Sequence, residues 1–178
     1  MSSSTSAENG TPQDGAPPPA DLAELAEAVR SAQATDDDLR RAFAAIDRHD
    51  IPDEAAGELI NAIARSPRAP ELLPELSRSL RGTRSPGRAI LLIRALRRNG
   101  GLPGIVPDLL RISEGSDWDP ERQAWAVAVS TIAQHAAATG DAALLERLGD
   151  LAEDPGLTDD DVAWVRKCLA KAEPGSGR

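Results

Sequence analysis

Residues 103–140, PGIVPDLLRISEGSDWDPERQAWAVAVSTIAQHAAATG, read as two helices folded back on each other. The first is predicted from Pro103 to Ile112, with apolar residues at Ile105, Val106, Leu109, Leu110 and Ile112 and with Pro107 inside it. Glu114-Gly115-Ser116-Asp117-Trp118 follows, rich in turn-forming types. Asp119 is the expected cap of the second helix, with Pro120 at its first position and Glu121 near the positive end of its dipole. That helix carries the unbroken apolar run Ala124-Trp125-Ala126-Val127-Ala128-Val129. Six consecutive positions at about 100° steps pass more than once around the helix, so it needs neighbours on several sides.

Similar pairs lie on both sides of this one. Upstream, Glu71 to Arg81 and Pro86 to Arg98 are separated by Gly82-Thr83-Arg84-Ser85 and closed by Asn99-Gly100-Gly101. Earlier still, Thr35-Asp36-Asp37-Asp38 precedes Leu39, Ala42, Phe43 and Ile46, while Ile51-Pro52-Asp53 opens a helix with Leu59, Ile60 and Ile63. Pro67 and Pro70 bracket a break. An amphipathic segment from Asp21 to about Ala32, with Leu22, Leu25, Ala26 and Val29 on one face, reads as a capping helix. Downstream come Asp141 to Ala152, a turn at Asp154-Pro155-Gly156, and Thr158 to Ala172. The pairs superpose at offsets of 33, 34 and 39 residues, the last carrying Trp125 onto Trp164. Four hairpins of this length suit a solenoid, because one hairpin cannot bury its own apolar face.

Composition agrees with an all-helical chain. Aromatic residues are 2% of 178, and Ala, Leu, Arg and Glu fill runs of helical length without an alternating period-two segment. Residues 1–19, ending Ala16-Pro17-Pro18-Pro19, lack the apolar surface that offsets ordering entropy and are expected to be a disordered tail. Residues 20–172 form the repeat domain, and 173–178 are expected to fray. Cys168 is alone, which excludes an internal disulfide. Met1 to Gly15 has neither a basic start nor an apolar segment, so a cytoplasmic, non-membrane protein is expected. Eighteen arginines against two lysines, with abundant alanine, suggest a bacterial genome rich in G and C.

Val106-Pro107-Asp108-Leu109-Leu110, followed by Asp117-Trp118-Asp119-Pro120-Glu121-Arg122-Gln123-Ala124, resembles the HEAT repeat, whose units carry a proline in helix A, an aspartate in the turn and an arginine early in helix B. Ser85-Pro86-Gly87-Arg88-Ala89 is similar but lacks the turn aspartate, and the match weakens in the outer two units. What the resemblance implies is a short right-handed α-α superhelix of about four hairpins behind an N-terminal capping helix. It implies a binding mode and not a reaction.

No catalytic, cofactor or metal centre is expected. His49 and His135 lie on different hairpins without partners at ligand spacing, and the acids of the two Thr-Asp-Asp-Asp segments, 35–38 and 158–161, are consecutive at helix starts, as caps are and calcium loops are not. No Gly-x-Ser-x-Gly elbow is present, and Gly100-Gly101 is followed by Leu102-Pro103 without a P-loop lysine. Trp125 and Trp164 read as structural. Trp118, among turn acids, either tucks under the next hairpin or contacts a partner.

Charge placement carries the functional expectation. Between residues 65 and 98 nine arginines face only Glu71 and Glu75, a local charge of +7 in a chain of −9, so the remainder carries −16. Arg94, Arg97 and Arg98 fall within an arc of about 100°, Arg78 and Arg81 are three apart on the preceding helix, and Arg84 is in the turn between. These six are expected to converge on one side of the hairpin and, with Trp118, to hold a partner protein through its acidic surface. The other reading is a solvated face paired with acids of neighbouring hairpins. A monomeric adaptor, regulator or immunity-type module is the expected class. Its alternative is a nucleic-acid binder, even one resembling a DNA glycosylase, disfavoured by net charge and by the lack of a basic stripe across all repeats. A HEAT-like lyase or chaperone has no supporting residue.

Overall fold

A computed structural model describes residues 21–115 and 117–172; the expected tail at 1–19 and the expected frayed end at 173–178 lie outside them, as does Ser116. The described residues form helices joined by turns and short irregular segments, without strands. In chain order the helices are α1 (Leu22–Arg30), α2 (Asp36–Ile46), α3 (Asp53–Arg65), α4 (Leu73–Gly82) preceded by a 3-10 turn at Ala69–Leu72, α5 (Pro86–Arg98), α6 (Leu102–Ser113), α7 (Gln123–Thr139), α8 (Ala142–Leu151) and α9 (Asp159–Ala172). No helix among them is long and apolar enough to cross a membrane.

The starts of these helices follow from short polar signals. Thr35 Oγ1 accepts from the Asp38 backbone N–H at 3.1 Å, and Asp38 accepts from the Thr35 N–H at 3.0 Å, a closed capping box. Thr158 and Asp161 repeat it on α9 at 3.2 and 3.1 Å. Ser85 caps α5 and Asp141 caps α8 through single side-chain bonds. Gly140, at φ 71°, ends α7 in the left-handed region that glycine tolerates.

One start differs from the sequence-based expectation. Pro120 does not open α7; Asp119 to Arg122 form a turn closed by Arg122 N–H to the Asp119 carbonyl at 3.0 Å, and Arg122 sits at φ 53°. Asp119 still caps the helix, from the first position of that turn. Its buried carboxylate accepts from the N–H groups of Gln123 at 2.9 Å and Trp125 at 2.8 Å, two donors that α7 cannot satisfy itself.

The layout is two-layered. Along the chain α3 packs on α1 and α5, α5 on α3 and α7, and α7 on α5 and α9, while α2, α4 and α6 adjoin one another on the other side and α8 closes against α7 and α9. Arg88 near the start of α5 reaches Asp53 at the start of α3, and Asn99 just past the end of α5 reaches the Ala64 carbonyl near the end of α3. Those two helices therefore run parallel. The core is continuous, with Leu59, Ile63, Leu76, Leu92, Leu96, Ile105, Leu109 and Ile132 each less than 2% exposed. Helix α7, which carries the unbroken apolar run, meets α5, α6, α8 and α9.

Polar contacts between hairpins keep one register. Arg68 to Asp36, Arg147 to Glu114, Asn99 to Ala64, Arg97 to Gln134 and Trp164 to Ala126 join residues 32, 33, 35, 37 and 38 apart. Among the described residues no side-chain hydrogen bond spans more than the 42 residues between Arg88 and Ile46.

Candidate functional site

The nine arginines that look alike in sequence have different fates. Arg88 is a structural residue, only 4% exposed. Its guanidinium donates to the carbonyls of Ile46 at 2.8 Å, Arg48 and Ile51, and to the Asp53 carboxylate at 2.7 Å. Arg68 pairs with Asp36 at 2.7 Å and Glu71 at 3.3 Å, and those hydrogen bonds raise its pKa above the ordinary arginine value.

The six arginines assigned to the site from sequence divide into two groups. Helices α4 and α5 are antiparallel and belong to different layers, so the end of α4 adjoins the start of α5. Arg78, Arg81 and Arg84 lie at that turn. Arg78 lines a mixed cleft with Asp36, Arg40, Asp47, Arg68 and Glu75, Arg81 pairs with Asp108 of α6 at 3.4 Å, and Arg84 donates to the carbonyls of Thr83 at 3.1 Å and Arg81 at 3.4 Å. Arg94, Arg97 and Arg98 lie at the other end of α5, on the other layer. There they line a groove of about 550 Å³ with Asn61, Ala64, Arg65 and Ala95. Among the described residues the groove lining contains four guanidinium groups and no acid. Trp118 does not join either group; it is half-buried and packs against the core.

Sequence reasoning had not included Arg65 among the site residues, although Arg65 stands in the same window. It had also passed over what lies beside this groove. Arg97 donates to Gln134 of α7 at 3.0 Å, and Gln134 lines a second groove, between α7 and α9, of about 530 Å³. Its other residues include Ala133, Ala137, Ala138, Trp164 and both lysines of the chain, Lys167 and Lys171. The two lysines are four apart on α9 and so share a face. That spacing is legible; their link through Gln134 to Arg97, seventy residues before Lys167, is not. Lysine and arginine in last helical turns also complement the negative end of the helix dipole, which accounts for part of the placement of Arg65, Arg97, Arg98 and Lys171.

The tryptophans that the repeat offset superposes are not equivalent. Trp125 is 2% exposed, and its indole N–H donates to the Ser113 carbonyl at 2.9 Å inside its own hairpin. Trp164 is half-buried, donates to the Ala126 carbonyl of the preceding hairpin at 3.1 Å, and has the Lys167 ammonium 5.5 Å from its ring centre. Burial pushes the Cys168 thiol pKa up, so it presents a neutral S–H in this groove and not a thiolate. Among the described residues no three His, Cys, Asp or Glu side chains gather as metal ligands would. Compared with known proteins, the chain matches no family model, no curated protein and no solved structure.

Proposed function

We propose that this chain is a non-enzymatic protein-interaction module of the HEAT-like kind, a short superhelix of hairpins that grips an acidic surface of another protein, as an adaptor, regulator or immunity-type factor does. The layered packing of successive hairpins and the repeat-length register of their polar contacts support the solenoid reading. The observation that carries the functional reading is the α3–α5 groove. Arg65, Arg94, Arg97 and Arg98 line it without an acid among the described residues, in a chain whose net charge is −9. Guanidinium groups held this close are costly unless solvated or met by anions, and their fork geometry matches carboxylates bidentately.

The test is Arg94→Glu, Arg97→Glu and Arg98→Glu together, with helicity followed by circular dichroism and capture of the native partner followed from extracts of the producing cells. Capture is expected to fall to background with the helical signal unchanged, and wild-type capture is expected to weaken as salt rises. Undiminished capture by the triple variant would leave the groove as a solvated face. Phosphate would also suit these guanidinium groups. Salt-sensitive retention of the wild type on heparin and on DNA, lost in the triple variant, would favour a nucleic-acid partner instead.

A further inference from the structure

Resting on that reading, we infer that the groove between α7 and α9 is the apolar half of the same docking surface, and that its occupant is an acidic amphipathic helix of the partner protein. The two grooves adjoin through the bond from Arg97 to Gln134, because Arg97 lines one and Gln134 the other. Their chemistries differ. The α3–α5 groove is lined mostly by guanidinium groups, whereas the α7–α9 groove has a floor of Ala133, Ala137, Ala138 and Ala172 with the Trp164 ring at its side. Small side chains leave room that water fills at a cost, and a volume of about 530 Å³ lies within the 300–1,000 Å³ of ordinary binding clefts.

Two polar atoms of this groove are already engaged. Ser130 Oγ donates to the Val127 carbonyl at 3.0 Å, and Gln134 Oε1 accepts from Arg97. What remains available is methyl and indole surface with the Cys168 S–H and the Gln134 amide N–H groups, flanked by cations, Lys167 and Lys171 on one side and the α5 arginines beyond Gln134 on the other. Among the described residues no acid lines either groove. Lys167 and Lys171 are one helical turn apart, about 6 Å, so two carboxylates at positions i and i+4 of a partner helix meet them in register. Aliphatic residues on the adjoining face of that helix fill the alanine floor, a helix-in-groove arrangement.

Nucleic acid fits the pair of grooves less well. A sugar-phosphate strand has no aliphatic group for the alanine floor, and the chain as a whole carries a net charge of −9.

The full chain is offered a displayed library of randomised peptides of about 16 residues, long enough for about four helical turns. Enriched peptides are expected to combine Asp or Glu at i, i+4 spacing with aliphatic residues on an adjacent face. Affinity of an enriched peptide is expected to fall at least about tenfold with Lys167→Glu plus Lys171→Glu. A similar fall is expected with Ala137→Trp, an exposed helical position where added bulk blocks the floor without altering charge. Circular dichroism checks that both variants are folded. No enrichment, enrichment without acids, or affinity unmoved by either variant overturns the inference. So does tighter binding of a single-stranded oligonucleotide of equal charge, or dimerisation of the chain that Ala137→Trp abolishes. If the α5 triple variant loses the native partner while the α9 and Ala137 variants keep it, the inference fails and the proposed function stands. If none of the variants affects capture, both fail.

Discussion

Arg88 and Trp125 show how much one side chain can organise here. The Arg88 guanidinium gathers three backbone carbonyls, that of Ile46 at the end of α2 and those of Arg48 and Ile51 in the irregular segment between α2 and α3. Its carboxylate partner Asp53 has a half-exposed side chain, so solvent screens that pair and most of the contribution lies in the carbonyl bonds. Arg88→Ala is therefore expected to cost about 3 kcal/mol, roughly 1 kcal/mol for each carbonyl left without its donor. Asp53→Ala should cost about 1 kcal/mol or less. Urea unfolding of the two variants checks the order, and an equal loss would assign the stability to the ion pair. Trp125→Ala is expected to cost about 3–5 kcal/mol as a core truncation. Trp125→Phe, which keeps most of the ring volume but abandons the Ser113 carbonyl, should cost about 1–3 kcal/mol. An unchanged melting temperature for the alanine variant would place residue 125 outside the core.

At the level of helices, caps set the boundaries and some of the acid sensitivity. Hydrogen bonds from the Thr35 hydroxyl and then its backbone N–H hold the Asp38 carboxyl below the ordinary carboxylate value. A depressed folded value means that the contribution is complete above the unfolded value and is lost as pH falls through the folded one. Thr35→Val should return the Asp38 titration, followed by NMR, towards the ordinary value and remove that part of the acid limb. A titration unchanged by the substitution would mean that the capping box does not cause the shift. Asp119→Ala leaves the Gln123 and Trp125 N–H groups without their acceptor and is expected to cost about 2 kcal/mol. These helices were largely legible in the sequence, because Thr-Asp starts, proline breaks and glycine ends are local signals. The displaced start of α7 was not. Asp-Pro is an ordinary helix opening, and only the left-handed Arg122 and the burial of Asp119 reveal the extra turn. Nor could local signals divide the arginines, since the layer to which each helix belongs depends on residues about one repeat away. The groove between α7 and α9 was hidden for the same reason.

On the scale of the molecule, each helix packs chiefly against the one or two that follow it. Damage should then stay local. Phe43→Ala in α2 is expected to lower amide-exchange protection in α1 to α3 while α7 to α9 keep most of theirs, as in a quasi-one-dimensional array. Uniform loss of protection along the chain would show that the hairpins form a single cooperative unit.

The short reach of these contacts also governs how the chain can acquire its shape during synthesis. Chains emerge at about 5–20 residues per second, so the span of about forty residues that separates paired groups takes roughly 2–8 s to appear. Contacts of such low order form in microseconds to milliseconds. Each hairpin can thus settle on its predecessor long before the next leaves the ribosome. The Arg88 bonds are in place while α9 is still untranslated, and the cationic face is completed last, by the two lysines near the end of the chain.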